Sequence, residues 1–322
     1  MKKNALIPSS LAFILTLTVF VIGCGREPVP PAAPAPVAPG DSTAPAGIPA
    51  SPGVTTEDAY VQPMTPRTVT MALATPAAKI AAEKVPLPPV ADLEGQVETY
   101  IKKLDGDLED LASTKNFKAD SGSLLRDSNA LALIALGIGL AEEEGKLKKA
   151  APGIVAAAQA VGKAEDLAAA QKAVADVKTA LTGSGDPTTL GWTKVAALAP
   201  VMKAVPNISS NVTRNSSTER RLSTGARMKD ARAAVLEGTA AMAVIVQGSM
   251  ANYEETNKAG SAADWERLCK EFRDLALKAN AEAHNFVDGK SDFATLSTAL
   301  ETMRKSCDDC HNVFHKAAIG QQ

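Results

Sequence analysis

Near the C-terminus stand Cys307-Asp308-Asp309-Cys310-His311, two cysteines three apart with a histidine next in line. No other feature of the chain restricts its fold so tightly. The pattern is that of a c-type haem attachment site. On a helix, Cys307 and Cys310 share one face, so both thiols can add to the vinyl groups along one porphyrin edge. His311 is then held beside that edge with an imidazole nitrogen available to the iron. A thioredoxin-like C-x-x-C would need a βαβ setting, and this one lies in an Ala/Leu/Lys-rich helical tract. A structural zinc site could borrow His315 and Cys269, but no second paired-ligand motif exists in the sequence.

Leu296, Leu300, Met303, Cys307, Cys310 and Phe314 recur at alternating fours and threes. This heptad-like stripe puts the two cysteines on the buried seam of a helical bundle, where haem fills part of the core. Leu300, Met303 and Phe314 are therefore expected as its packing neighbours. Helical periodicity extends upstream through Leu93, Val97, Ile101, Leu104, Leu108 and Leu111, with Asp92 placed as a cap. Further helices are expected over 124–144, 152–161, 166–181, 226–253, 263–286 and 292–316. A shorter one is expected over 192–205, disturbed by Pro200 and ended near Pro206. No strand is evident. Aromatic residues make up 4% and hydrophobic residues 45% of the chain, with alanine prominent. The expected class is all-α, packed from small aliphatic side chains.

Helices rich in Ala, Leu and Lys resemble one another by composition, but here two blocks align residue by residue. Ala132, Ile134 and Gly137 match Ala243, Ile245 and Gly248, and the run from Gly162 through Asp166 resembles that from Gly289 through Asp292. Where the second copy has Cys307 and Cys310, the first has Leu181 followed by Thr182-Gly183-Ser184. The first copy therefore carries no covalent haem.

The N-terminus opens Met1-Lys2-Lys3, is largely apolar from Leu11 to Ile22 and closes on Val21-Ile22-Gly23-Cys24. This is the order of a secretory signal, short for a span of ~20 residues. Its last four residues resemble the lipobox of bacterial lipoproteins, which implies lipidation of Cys24 and attachment to the membrane on the periplasmic side of the cell envelope. Gly25, where an Asp would mark inner-membrane retention, favours the outer membrane by the same resemblance. Residues 24–90 are rich in Pro and Ala and are expected to be an extended tether. With Cys24 given to lipid and two cysteines to haem, Cys269 is left as an unpaired thiol in an apolar setting, the pattern of a buried core cysteine.

A C-terminal helix bearing C-x-x-C-H, preceded by a long helix and a short Gly/Asp link, resembles the cytochrome c-prime family. The likeness covers 192–316 and is best over 265–314. It implies an antiparallel four-helix bundle at 190–317 with one covalent haem c, preceded by the related copy at 91–185. Family members usually carry Arg or Lys four residues after the haem histidine; here that position is His315, with Lys316 next. The distal ligand divides the family's functions: a methionine on the first bundle helix goes with electron transfer between redox partner proteins, an aliphatic residue with binding of NO or CO. Met202 is the leading candidate for a distal methionine, ahead of Met228, Met242 and Met250, with His284 as the alternative. His315 shares a helix with His311 and cannot reach the opposite haem face. The family's antiparallel dimers leave a homodimer open here. A formal net charge of −2 implies neither nucleic acid nor an acidic surface as partner. No nucleophile–base constellation points to an enzyme.

Overall fold

Two helices with almost no polar face lie at the centre of the molecule, in a computed structural model that describes residues 85–315. In chain order the helices are α1 (Val90–Ala112), α2 (Phe117–Asp120), α3 (Gly122–Leu140), α4 (Ala151–Val161), α5 (Leu167–Ala180), α6 (Leu198–Asn215), α7 (Glu219–Ser223), α8 (Met228–Ser249), α9 (Ala262–Val287) and α10 (Phe293–Phe314). Short 3₁₀ turns cover Pro187–Thr189 and Met250–Glu255, and no strand occurs among the described residues. The protein is all-α, as the periodicity predicts. The signal-like segment, Cys24, nearly all of the tether and Lys316 lie outside the described residues.

The central helices are α3 and α8. Both are long and apolar enough to cross a membrane, yet both are mostly buried inside the protein, as an all-round apolar helix must be in water. Around α3 pack α1 and α4, and α5 lies on α4 and returns to α1, where Lys178 Nζ meets Asp105 Oδ1 at 2.6 Å. Around α8 pack α6 and α9, and α10 lies on α9. Here the ring stays open, because α10 does not close onto α6 as α5 closes onto α1. The linker containing Pro187–Thr189 separates the two sets, but all the described helices belong to one compact unit. Across its middle α3 packs on α6 and α8, and α1 packs on α8. Gly137 admits Val244, and Gly248 admits Leu133, so closely that a Cβ at either glycine would overlap its partner.

Several local expectations are corrected. The tether ends earlier than residue 90, since Pro88 and Val90 are already buried. Asp92 is not the cap of α1 but lies inside it, 8% exposed; it accepts a hydrogen bond from Asn280 Nδ2 at 2.9 Å and pairs with His284 Nε2 at 2.8 Å. α3 stops at Leu140 rather than 144, where Ala141 turns to extended backbone and Glu143 Oε2 accepts from the Val90 N–H at the start of α1. The largest correction is α6. Trp192 and Val195 precede it, and Pro200 sits in its first turn, where an N–H would have no intrahelical partner anyway. Pro206 lies inside the helix without ending it. An internal proline costs about 3 kcal/mol. Burying Ile208 and Val212 beyond it returns about 1.5–3 kcal/mol each, so the helix runs on to Asn215.

One carboxylate in α1 sets a pH dependence. Asp127 is 2% exposed and is forked by Arg126 at 2.7 and 2.9 Å. Asp107, nearby, has a buried Oδ2 with no hydrogen-bond partner. Burial first, and then the charge of Asp127, push its carboxyl up to about 6. The folded state therefore favours the protonated acid. Its contribution is fully present below the ordinary carboxylate range and is lost as the pH rises through about 6. Asp107→Asn is expected to raise the melting temperature at pH 7.5 and to flatten the fall in stability between about pH 4 and 6. Melting curves across that interval that are superimposable for the two proteins would refute this.

Candidate haem-binding cleft

The C-x-x-C-H helix starts where Asp292 accepts a hydrogen bond from the Thr295 N–H at 2.8 Å. From there Leu296, Ala299, Leu300 and Met303 bury one stripe against the body of the protein. One turn later the same stripe stops meeting packed side chains and faces a cleft. Cys307, Cys310 and His311 form its α10 wall. Met202, Val205, Pro206 and Ser209 line it from α6, Val246 and Ser249 from α8, and Trp265, Leu268, Cys269 and Phe272 from α9. The space open to water is only about 60 Å³, a narrow slot with an open mouth. It occupies the gap left between α6 and α10.

The walls are fixed by ordinary packing. A capping box, Ser261 with Asp264, sets the start of α9. Trp265 then donates its indole N–H to the Ser249 carbonyl at 3.1 Å and meets Phe314 edge to face at 5.2 Å. Apart from two serines, the lining carries no hydroxyl, carboxylate, amide or ammonium group. Such walls offer water few partners and suit a flat apolar macrocycle.

The electrostatics follow from that apolarity. Burial pushes the Cys307 thiol up to about 11, helped by the neighbouring Asp308, and burial pushes Cys310 up to about 11. Both are thiols at neutral pH, the protonated form that adds across a vinyl group. Burial also lowers His311, followed by the nearby His315, with Asp308 acting in the opposite sense. The imidazole is thereby biased toward the neutral form that binds a metal.

Of the residues singled out from sequence, Cys307, Cys310, His311 and Met202 come together in this cleft. Met303 and Phe314 do not line it. Met303 is 2% exposed in the packed core, and Phe314, 6% exposed, lies behind Trp265. Cys269 is buried, as its neighbours predict, but it also faces the cleft. His284 is excluded as a distal ligand: it pairs with Asp92, about four helical turns, or roughly 22 Å, along α9 from Cys269. Met242 is sealed in the core at 1% exposure, Met228 begins α8 at its far end, and Met250 does not line the cleft. His315 is exposed, with its ring 5.9 Å from that of His311. From α6 the sequence reading offered Met202 alone, and Cys269 on α9 read as plain core, so the rest of these two walls was missed.

No family model matches the chain, and no curated protein or solved structure is detectably similar to it. Among the described residues no three His, Cys, Asp or Glu side chains are grouped closely enough to hold a metal ion. The donor set fits a covalently held haem instead. Two thiols and one imidazole stand on one wall, the Met202 thioether and the Cys269 thiol enter from others, and apart from two serines the remainder is apolar.

Proposed function

We propose that the chain is an exported monohaem c-type cytochrome that transfers single electrons between redox partner proteins, and not an enzyme. The observation that carries this reading is that both motif thiols and His311 face a single apolar cleft, which Met202 lines from α6. Haem, when bound, supplies a one-electron iron couple. The protein's own residues do the rest. Cys307 and Cys310 fix the group by thioether bonds, and His311 offers a neutral imidazole nitrogen. Val205, Val246, Leu268 and Phe272 exclude water from its faces. Oxidised and reduced visible spectra of protein matured with the haem-attachment machinery test the reading; the decisive variants are taken up in the Discussion.

The gas-binding alternative draws on one specific observation. Met202 is only half-buried, and Pro206 has no N–H to give its backbone carbonyl, so this turn of α6 is held less firmly than a regular helix. A distal residue so placed can yield to a small ligand.

We assign the bundle at 190–317 to a cytochrome c-prime-like arrangement preceded by a related copy at 91–185. Supporting this, α1, α3, α4 and α5 pack in the same order as α6, α8, α9 and α10. Asp166 and Asp292 cap α5 and α10 alike, each accepting from the N–H three residues on at 2.8 Å. The glycine contacts are reciprocal as well. Gly137 with Val244 and Gly248 with Leu133 are equivalent pairs once Ala132 is aligned with Ala243, as across a two-fold axis. A homodimer would have to use other faces, because α3 and α8 already cover each other within one chain.

The proposal includes a lipid anchor on Cys24, with the Pro/Ala tether leading to the folded body. Cys24→Ala is expected to move the protein from the membrane fraction, the outer membrane by the resemblance, to the soluble one, because an extended tether has no other means of holding it. A variant that stays with the membrane through a high-salt wash would sink the lipobox reading.

A further inference from the structure

The whole chain is almost neutral at −2, yet its cations are not evenly spread. The connection between α6 and α8 gathers Arg214, Arg220, Arg221 and Arg227 around an open basin, with Asp230 as the one carboxylate on its lining. Among the described residues none of these four guanidiniums is paired with a carboxylate; Arg214 donates to Asn211 Oδ1 at 2.9 Å and Arg221 to the Arg214 carbonyl. Elsewhere on the surface the usual pattern is an ion pair, as between Lys258 and Glu254, Arg267 and Glu271, or Lys305 and Glu301.

The arginines stand on a fixed base. Leu222, 1% exposed, pins α7 to α8, and Arg232 Nε donates to the Leu222 carbonyl at 2.6 Å. Arg220 and Arg221, immediately before this anchor, are exposed at the basin's edge. Holding several unpaired like charges together is unfavourable without a counter-charge, and a guanidinium fork matches the oxygen geometry of phosphate. A concave lining suits a discrete anion better than the broad, flat face of a partner protein. The basin is also remote from the haem cleft. Met228 lines the one and Val246 the other, some 27 Å apart along α8.

We propose that this basin binds a multiply charged phosphate-class oxyanion, free or as a lipid headgroup, independently of the haem cleft. The test is titration calorimetry of the full holoprotein with inorganic pyrophosphate at low ionic strength. Alongside it runs co-sedimentation with phosphatidylcholine vesicles, with and without phosphatidylglycerol, using Cys24→Ala protein so that no lipid anchor contributes. Binding of pyrophosphate that weakens roughly tenfold or more in Arg220→Gln/Arg221→Gln, with an unchanged visible spectrum, supports a free anion. Binding confined to the phosphatidylglycerol vesicles, and lost in that variant, supports the headgroup. If the double variant fails to fold, Arg227→Gln replaces it with the same expected direction. The proposal is overturned if neither probe binds, or if the arginine variants bind as well as the parent protein. It is equally overturned if polyglutamate outcompetes both probes, because the surface is then a docking face for acidic proteins.

Discussion

Replacing Cys307 and Cys310 together by alanine is expected to abolish covalent haem attachment. Wild-type protein matured with the attachment machinery is expected to keep its haem through boiling in denaturant, whereas the double variant gives a colourless polypeptide on the same gel. Either single variant keeps one thioether at most, and His311→Ala leaves attached haem without its proximal nitrogen. The effect is all or none because no other thiol in the cleft stands in the motif. Cys269 lines the same space, but from α9, and has no histidine next to it in the sequence. Burial raises the Cys269 thiol as it raises Cys307 and Cys310, so its place on α9 and not its protonation sets it apart. Stoichiometric zinc and no Soret absorption in such wild-type protein would falsify the haem assignment.

Met202→Ala separates the two functional readings by the largest spectroscopic change available to a single side chain. If the Met202 thioether binds the distal face, the wild-type ferric protein is low-spin with a sulfur-to-iron band in the near infrared. The variant then becomes high-spin and takes up CO. A thioether also favours the ferrous state, so the reduction potential should fall in the variant. If the distal face is open, wild-type ferrous protein binds CO readily and Met202→Ala alters little beyond packing. That outcome would move the assignment from electron transfer to gas binding, since the apolar walls admit a small diatomic and deter water. A wild-type low-spin spectrum that survives Met202→Ala would defeat both versions. His284 could not rescue either one, because it is engaged with Asp92 far along α9.

The sequence by itself determined the all-α class, the C-x-x-C-H pattern on a late helix and the position of most helices. These follow from local chemistry. An apolar stripe at threes and fours, an aspartate cap such as Asp166 or Asp292, and a C-x-x-C-H are each set by residues within a few turns of one another. The limits appeared where local signals competed with long-range packing. Pro206 reads as a helix end, but the helix continues because Ile208 and Val212 are buried beyond it. Asp92 reads as a cap, but Asn280 and His284, distant in sequence, draw it into a buried contact. The stripe on α10 reads as uniform, yet Met303 and Phe314 meet packed side chains while Cys307 and Cys310 meet a cleft. Periodicity says which face of a helix is apolar, not what covers it. Only the tertiary structure decided that α5 packs onto α1 while α10 makes no comparable contact with α6, and that difference leaves Cys307, Cys310 and His311 facing a cleft.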